Sequence, residues 1–191
     1  MRADGEAEDW RRVLTGEGEA FGRLFDAHHQ RVYRHALRLV SSTHDAEDIT
    51  AGAFLELWRR RDKVRVVDGS VVPWLLVTTT NLALNRRRSL RRHRAFLARL
   101  PRQEPLVPDA GSVALSRADL DVDPRLIDAI RELGATDQQL VVLVALEGYQ
   151  LREAATAIGL SPEAARSRWQ RIRRRLAGSV TPETLALAAE H

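Results

Sequence analysis

From Phe21 to Val40 the apolar positions fall three and four residues apart: Phe21, Leu24, Phe25, Val32, Ala36, Leu39 and Val40, with His28 at the edge of the set. A helix gathers such positions onto one face whereas a strand scatters them over both, so the stretch predicts an amphipathic helix of about 20 residues with one buried side. The spacing breaks at residues 41–44 and returns at Ala46, Ile49, Ala53, Phe54, Leu57 and Trp58, which predicts a second helix with Asp45 as its N-cap and its end near Arg61. Residues 62–72 lose the period and hold Asp68-Gly69-Ser70, a loop. Pro73 suits the first turn of a third helix, from Trp74 to about Phe96, because its missing N–H is one of the unpaired donors there. No stretch sustains the period-two alternation of a strand, so the class expected is all-α.

The second half of the chain begins with a change of composition. Residues 101–123 contain Pro101, Pro105, Pro108, Gly111, serines and acids with weak periodicity, the character of an interdomain spacer. Beyond it Asp123-Pro124 starts a helix to Leu133, and Thr136-x-x-Gln139 has the capping-box pattern for the next, which carries Leu140, Val141, Leu143, Val144 and Leu146. A short helix, 151–158, ends at Gly159; Ser161-Pro162 then caps and opens a longer one through Leu176. The expected architecture is two small helical domains, residues 18–98 and 125–178, joined by an acidic flexible linker at 99–124, the C-terminal domain being a helix–turn–helix. A chain of 191 residues with 44 % hydrophobic content can bury cores of that size.

Charge is segregated along the chain. The 30 basic and 26 acidic residues leave a net +4, but by segment the balance is −2 over residues 1–62, +9 over 63–102, −7 over 103–165, +6 over 166–176 and −2 over 177–191. All the basic residues but Lys63 are arginine. Two basic islands in a neutral-to-acidic chain point to polyanionic surfaces, nucleic acid first and an anionic membrane next. No apolar run approaches the ~18 residues of a membrane span. Asp4, Glu6, Glu8 and Asp9 stand where a secretion signal would be basic and then apolar, so a cytoplasmic protein is expected. With no cysteine, disulfides and cysteine-ligated metals are excluded.

In a helix–turn–helix the second helix enters the major groove and its first residues meet base edges. Ser161, Glu163, Ala164, Arg166 and Ser167 hold those positions, with Arg168 and Arg171 beyond them for phosphates or acidic partners. The bland alternative is a solvated basic face on an ordinary helical hairpin, against which stand six arginines and no acid in eleven residues.

The residues also carry a family resemblance. Gly148-Tyr149-Gln150-Leu151-Arg152-Glu153-Ala154-Ala155, Gly159-Leu160-Ser161 and the arginine pattern 166–175 resemble the C-terminal promoter-binding domain of extracytoplasmic-function sigma factors. Phe21-x-x-Leu24-Phe25, Asp45-Ala46-Glu47-Asp48-Ile49 and Phe54-Leu55-x-x-Trp58-Arg59 resemble the segments of that family that build its helical core and dock on RNA polymerase, and Pro73-Trp74-Leu75 with residues 81–86 its promoter-melting helix. The likeness covers about residues 18–178. It implies core RNA polymerase and promoter DNA as partners, with an anti-sigma factor as a further one, and no covalent chemistry. It places the upstream (−35) element on Ser161, Glu163, Ala164, Arg166, Ser167, Arg168 and Arg171. The melting downstream (−10) element falls on Lys63, Arg65, Trp74, Thr78, Asn81, Asn85, Arg86, Arg87 and Arg88, and polymerase docking on Asp45, Glu47, Asp48, Glu56 and Trp58. Trp58 and Trp74 have a competing role as buried core aromatics. The chain departs from the family pattern at Ala51-Gly52, Thr80, Asn85, Pro162 and Glu163.

Enzymatic alternatives are poorly supported. His28, His29, His35 and His44 lack the His-Glu-x-x-His spacing of a zinc site, and no phosphate-cradling glycine loop or nucleophile elbow occurs, so no metal and no cofactor are expected. The rival is a stand-alone helix–turn–helix regulator that binds DNA without polymerase; it would account for the second basic island and leave the first unexplained.

Overall fold

The structure is a computed structural model that describes residues 3–40, 42–97, 129–130 and 132–177. Its elements are α1 (Ala3–Leu14), α2 (Gly18–Leu39), α3 (Thr43–Arg59), a 3-10 turn (Arg61–Lys63), α4 (Val72–Leu97), α5 (Ala135–Val141) running on as a wider helical turn (Val142–Leu146), α6 (Leu151–Ile158) and α7 (Pro162–Ala177). Among the described residues there is no strand, only an isolated bridge between Val67 and Ser70. The all-α class expected from the periodicity therefore holds. The linker at 99–124 and most of the helix expected to run to Leu133 lie outside the described residues.

Three details differ from expectation. Helix α1 precedes the expected domain start at residue 18. It is short and half its residues are charged, and what holds it is the burial of Trp10 and Val13 against α2 together with Asp9, whose Oδ1 accepts from Arg23 Nε at 2.9 Å and Nη2 at 2.6 Å. The N-cap of α3 is Ser42 rather than Asp45: its Oγ accepts the Asp45 amide at 3.3 Å, which releases the Asp45 carboxylate for another partner. Helix α5 starts from Gly134, so Thr136 and Gln139 do not form its capping box; the Gln138 amide donates to the carbonyls of Ile130 at 3.0 Å and Leu133 at 2.9 Å, tying α5 to the preceding turn.

Helix α4 is long enough to serve two cores. Leu75, with Val71 just before the helix, packs among Trp10, Val13, Leu24, Val32, Phe54 and Leu57 of the N-terminal lobe, while Ala83 meets Ala36, Ala46 and Ile49. Val72, Leu76 and Val77, with Val67 of the preceding loop, join Leu133, Leu140, Leu143, Ala154, Ala157, Ile172 and Leu176 of the C-terminal lobe. The two lobes thus share an apolar interface, in which each fully buried leucine contributes roughly 1.5–3 kcal/mol.

Candidate nucleic-acid interface

The helix–turn–helix is built by local capping. Gln150 opens α6 in a capping box with Glu153, whose Oε2 accepts the Gln150 amide at 2.8 Å. Gly159 closes α6 at φ 74°, ψ 36°, a left-handed conformation that favours glycine, and the Leu160 amide returns to the Ala155 carbonyl at 2.9 Å. Ser161 Oγ then accepts the Ala164 amide at 3.2 Å to start α7. Ala154, Ala155 and Ala165 are buried, so α6 and α7 approach closely. Ser161, Glu163, Arg166 and Ser167 are exposed at the start of α7 and Ala164 is half-buried, so the expected base-facing set lies on one accessible helix end, and Arg171 farther along is exposed as well. Arg168 differs: it donates to Asp137 of α5 at 2.8 Å and is a brace within the lobe. Glu163 reaches back to its own amide and to Ser161, which hold its carboxyl below the usual range, and pairs with Arg166 at 3.3 Å.

The second candidate surface is α4 with the loop before it. Asp68 (φ 49°) and Gly69 (φ 77°) form the tight turn between Val67 and Ser70. Sequence inspection missed what fixes this loop: Glu6 of α1, buried, accepts the Ser70 hydroxyl and the Val71 amide, each at 2.9 Å, through one carboxylate oxygen. His28 Nε2 lies 3.1 Å from the other oxygen, though it is not aligned for a hydrogen bond. Burial pushes the Glu6 carboxyl up, but His28 and the Val71 amide outweigh it and the net shift is downward.

Of the residues expected on this surface, Lys63, Arg65, Asn85, Arg86 and Arg88 are exposed and Thr78 is half-buried. The Arg87 side chain lies outside the described part. Trp74 is half-buried against the N-terminal core, the competing role it had from sequence. Asn81 is half-buried, its Oδ1 accepting from Gln139 Nε2 at 2.6 Å. Asn85 accepts from Arg88 at 3.1 Å.

The docking candidates divide in the same way. Glu47 and Asp48 are exposed on α3; Glu56 pairs with Arg60 at 2.6 Å; Asp45 is occupied by Arg86, Nη2 to Oδ1 at 2.8 Å. Trp58 is half-buried, edge-on to Phe21 with ring centroids 5.2 Å apart, and carries the Arg61 guanidinium 4.8 Å above its ring. The histidines go to separate partners: His28 to Glu6, His35 to Glu147, His44 to Asp48. Among the described residues no three His, Cys, Asp or Glu side chains gather to hold a metal ion, and no helix is long and apolar enough to cross a membrane.

Comparison with known proteins supplies the context. Residues 24–93 match the family model for sigma-70 region 2 and residues 124–176 that for sigma-70 region 4. The chain is 33 % identical to the RNA polymerase sigma factor CarQ of Myxococcus xanthus over 84 % of this chain and 88 % of that protein. It is 31 % identical to the extracytoplasmic-function (ECF) sigma factor BldN of Streptomyces coelicolor over 87 % of this chain and 62 % of that one. The chain belongs to the ECF sigma factors of RNA polymerase.

Among solved structures, the sigma factor resembles CnrH in complex with the cytosolic domain of CnrY (TM-score 0.56, 21 % identity, 91 % of this chain and 96 % of that one). It also resembles RpoE in complex with the anti-sigma factor NepR from Bartonella quintana (TM-score 0.51, 21 % identity, 90 % and 98 %); both likenesses are of fold. Helix α1 of the sigma factor lies before the region 2 match, which is why family motifs left Glu6 unmarked. A second feature escaped the motifs because it joins the two matched regions: Glu147 in the C-terminal lobe meets Arg31, His35 and Arg38 of α2.

Proposed function

We propose that residues 18–98 dock on core RNA polymerase and take up the −10 element as it melts, that 99–124 connect the two lobes, and that 125–178 bind the −35 element as duplex. The observation that carries the division of labour is the α6–Gly159–α7 unit, in which capped and closely packed helices present Ser161, Glu163, Arg166 and Ser167 at one exposed helix end, with Arg171 exposed farther along. Arg166 and Arg171 supply bidentate donors for guanine or phosphate. Lys63, Arg65, Arg86 and Arg88 supply a cationic track for a displaced strand, with Arg87 in the same run of sequence. Glu47 and Asp48 of α3 are exposed, as are the apolar Leu55 of α3 and Phe25 of α2, so the α2–α3 pair offers both charged and apolar groups to a docking protein.

On this proposal the chain works in the cytoplasm, carries out no covalent chemistry of its own, and lends polymerase a promoter address. An anti-sigma factor is proposed as a further partner, since two solved relatives of the fold are described in complex with CnrY and with the anti-sigma factor NepR. Mixing the purified chain with core polymerase and running both a sizing column and run-off transcription on a genomic library tests the proposal. Comigration and discrete promoter-dependent transcripts are expected. Tight duplex binding without comigration or transcripts would overturn it in favour of a polymerase-independent regulator.

A further inference from the structure

Arg31, His35 and Arg38 stand one helical turn apart along α2, so three nitrogen-bearing side chains converge on one place. Glu147 fills that place: Oε2 is 3.2 Å from Arg31 Nη2, and Oε1 is 3.1 Å from both His35 Nδ1 and Arg38 Nη1. The Glu147 side chain is only 7 % exposed and that of His35 fully buried, while Arg31 and Arg38 keep more than 40 % exposure. The Thr80 hydroxyl donates to the Leu76 carbonyl at 2.8 Å, and its oxygen lies 3.0 Å from His35 Nε2. Both imidazole nitrogens thus have a partner within hydrogen-bond distance, which fixes the orientation of the ring with Nδ1 toward the Glu147 position. Arg31 also lies 5.6 Å over the Tyr149 ring, which holds its guanidinium in place.

Two guanidiniums and an oriented imidazole around one anionic position constitute a phosphate-recognition chemistry as much as a carboxylate one. We infer that Arg31, His35 and Arg38 form a phosphate site for the backbone of single-stranded DNA, and that Glu147 occupies this site from within the chain when the lobes are closed. The other contacts of the closed form point the same way. Gln139 binds the half-buried Asn81, and the Arg65 guanidinium, though exposed, lies where any Cβ at Gly159 would overlap it, so the C-terminal lobe touches strand-facing candidates on both α4 and its loop. Nucleic acid and Glu147 then compete for one set of donors, and strand binding opens the lobes.

The site depends on the strand-facing role proposed for α4, which comigration and transcription with core polymerase test separately. The direct test is binding of fluorescent poly(dT) to the full chain at several salt concentrations. Glu147→Gln is expected to raise affinity by about five-fold or more, the lower end of ordinary coupling between two sites. It is also expected to steepen the salt dependence, each added phosphate contact changing the log–log slope by about 0.7. Glu8→Gln on α1, the same change of charge, leaves both unaltered. Adding Arg31→Ala and Arg38→Ala to Glu147→Gln returns affinity and slope to the starting values. A Glu147→Gln chain that behaves like Glu8→Gln, or that keeps its gain after both arginines are removed, overturns the site. Without any variant, saturating poly(dT) must also increase the radius of gyration of the unaltered chain; a chain that binds the oligonucleotide and stays equally compact overturns it too.

Discussion

The Glu6 carboxylate of α1 accepts the Val71 amide at 2.9 Å, at the point where the chain turns from the loop into α4. Sixty-five residues of sequence separate the two, and the contact supplies one of the helix's unpaired donors from outside the helix itself. The helix that carries Trp74, Asn81 and the arginine run is thus anchored at its start by a segment that precedes the family-matched region.

Removing that acceptor leaves a buried amide without a partner. Glu6→Ala is expected to destabilise the chain by about 1–3 kcal/mol, the cost of an unsatisfied buried donor. Thermal unfolding measures this; an unchanged midpoint would contradict the anchoring role.

Gly159 combines a left-handed backbone with a close neighbour, Arg65. Gly159→Ala is expected to cost about 1–2 kcal/mol from the left-handed conformation alone, and more while Arg65 occupies the space of the new methyl. Adding Arg65→Ala should recover only the second part, as read by chemical denaturation of the single and double variants.

Arg168 and Arg171 sit three positions apart on α7 and should behave differently. Arg168→Ala breaks the 2.8 Å pair with Asp137 and is expected to lower the stability of the C-terminal lobe. Arg171→Ala, on an exposed side chain, should leave stability unchanged and weaken duplex binding, lowering the log–log salt slope by about 1. The reverse pattern would show that Arg168 is the DNA contact.

The Glu147 carboxyl experiences burial, which raises its pKa, and hydrogen bonds and charge from His35 and Arg31, which prevail and lower it. The groups facing it are Arg31, His35 and Arg38 of α2, with Tyr149 beside it and Thr80 of α4 behind His35. A depressed carboxyl contributes stability that is present above its ordinary pKa and is lost as the pH falls through the lower, folded value. Stability is therefore expected to drop with acid below the ordinary value of 4.5, and Glu147→Gln should show a shallower drop. Equal slopes for the two proteins would exclude a contribution from this carboxylate.

The helices were largely legible in the sequence because each has a one-sided apolar period strong enough to fix its face, as in Phe21–Val40 and 46–58. The helix–turn–helix was legible because its punctuation is local: Gly159 and Ser161 act within four residues of themselves. Helix α1 was hidden by its charges, since its few apolar positions acquire meaning only against α2. Ser42 displaced Asp45 as a cap because Asp45 has a better partner in Arg86, forty-one residues away. Arg168 was expected to meet phosphates or acidic partners, and its pairing with Asp137 was hidden because Asp137 approaches it only once α5 and α7 have packed. His35 and Glu147 lie 112 positions apart and neither belongs to a pattern that periodicity or motif could flag.

The apolar interface that α4 shares with the C-terminal lobe has a thermal consequence. Opening wets Val72, Leu76, Val77, Leu140 and Leu143, so it carries a positive heat-capacity change, and the driving force for closure fades as water is cooled. Cooling is accordingly expected to raise the population of open chains, seen as a growing radius of gyration with helix content unchanged. Under the strand-binding role proposed for this chain, a fall in temperature and nucleic acid act on the same interface.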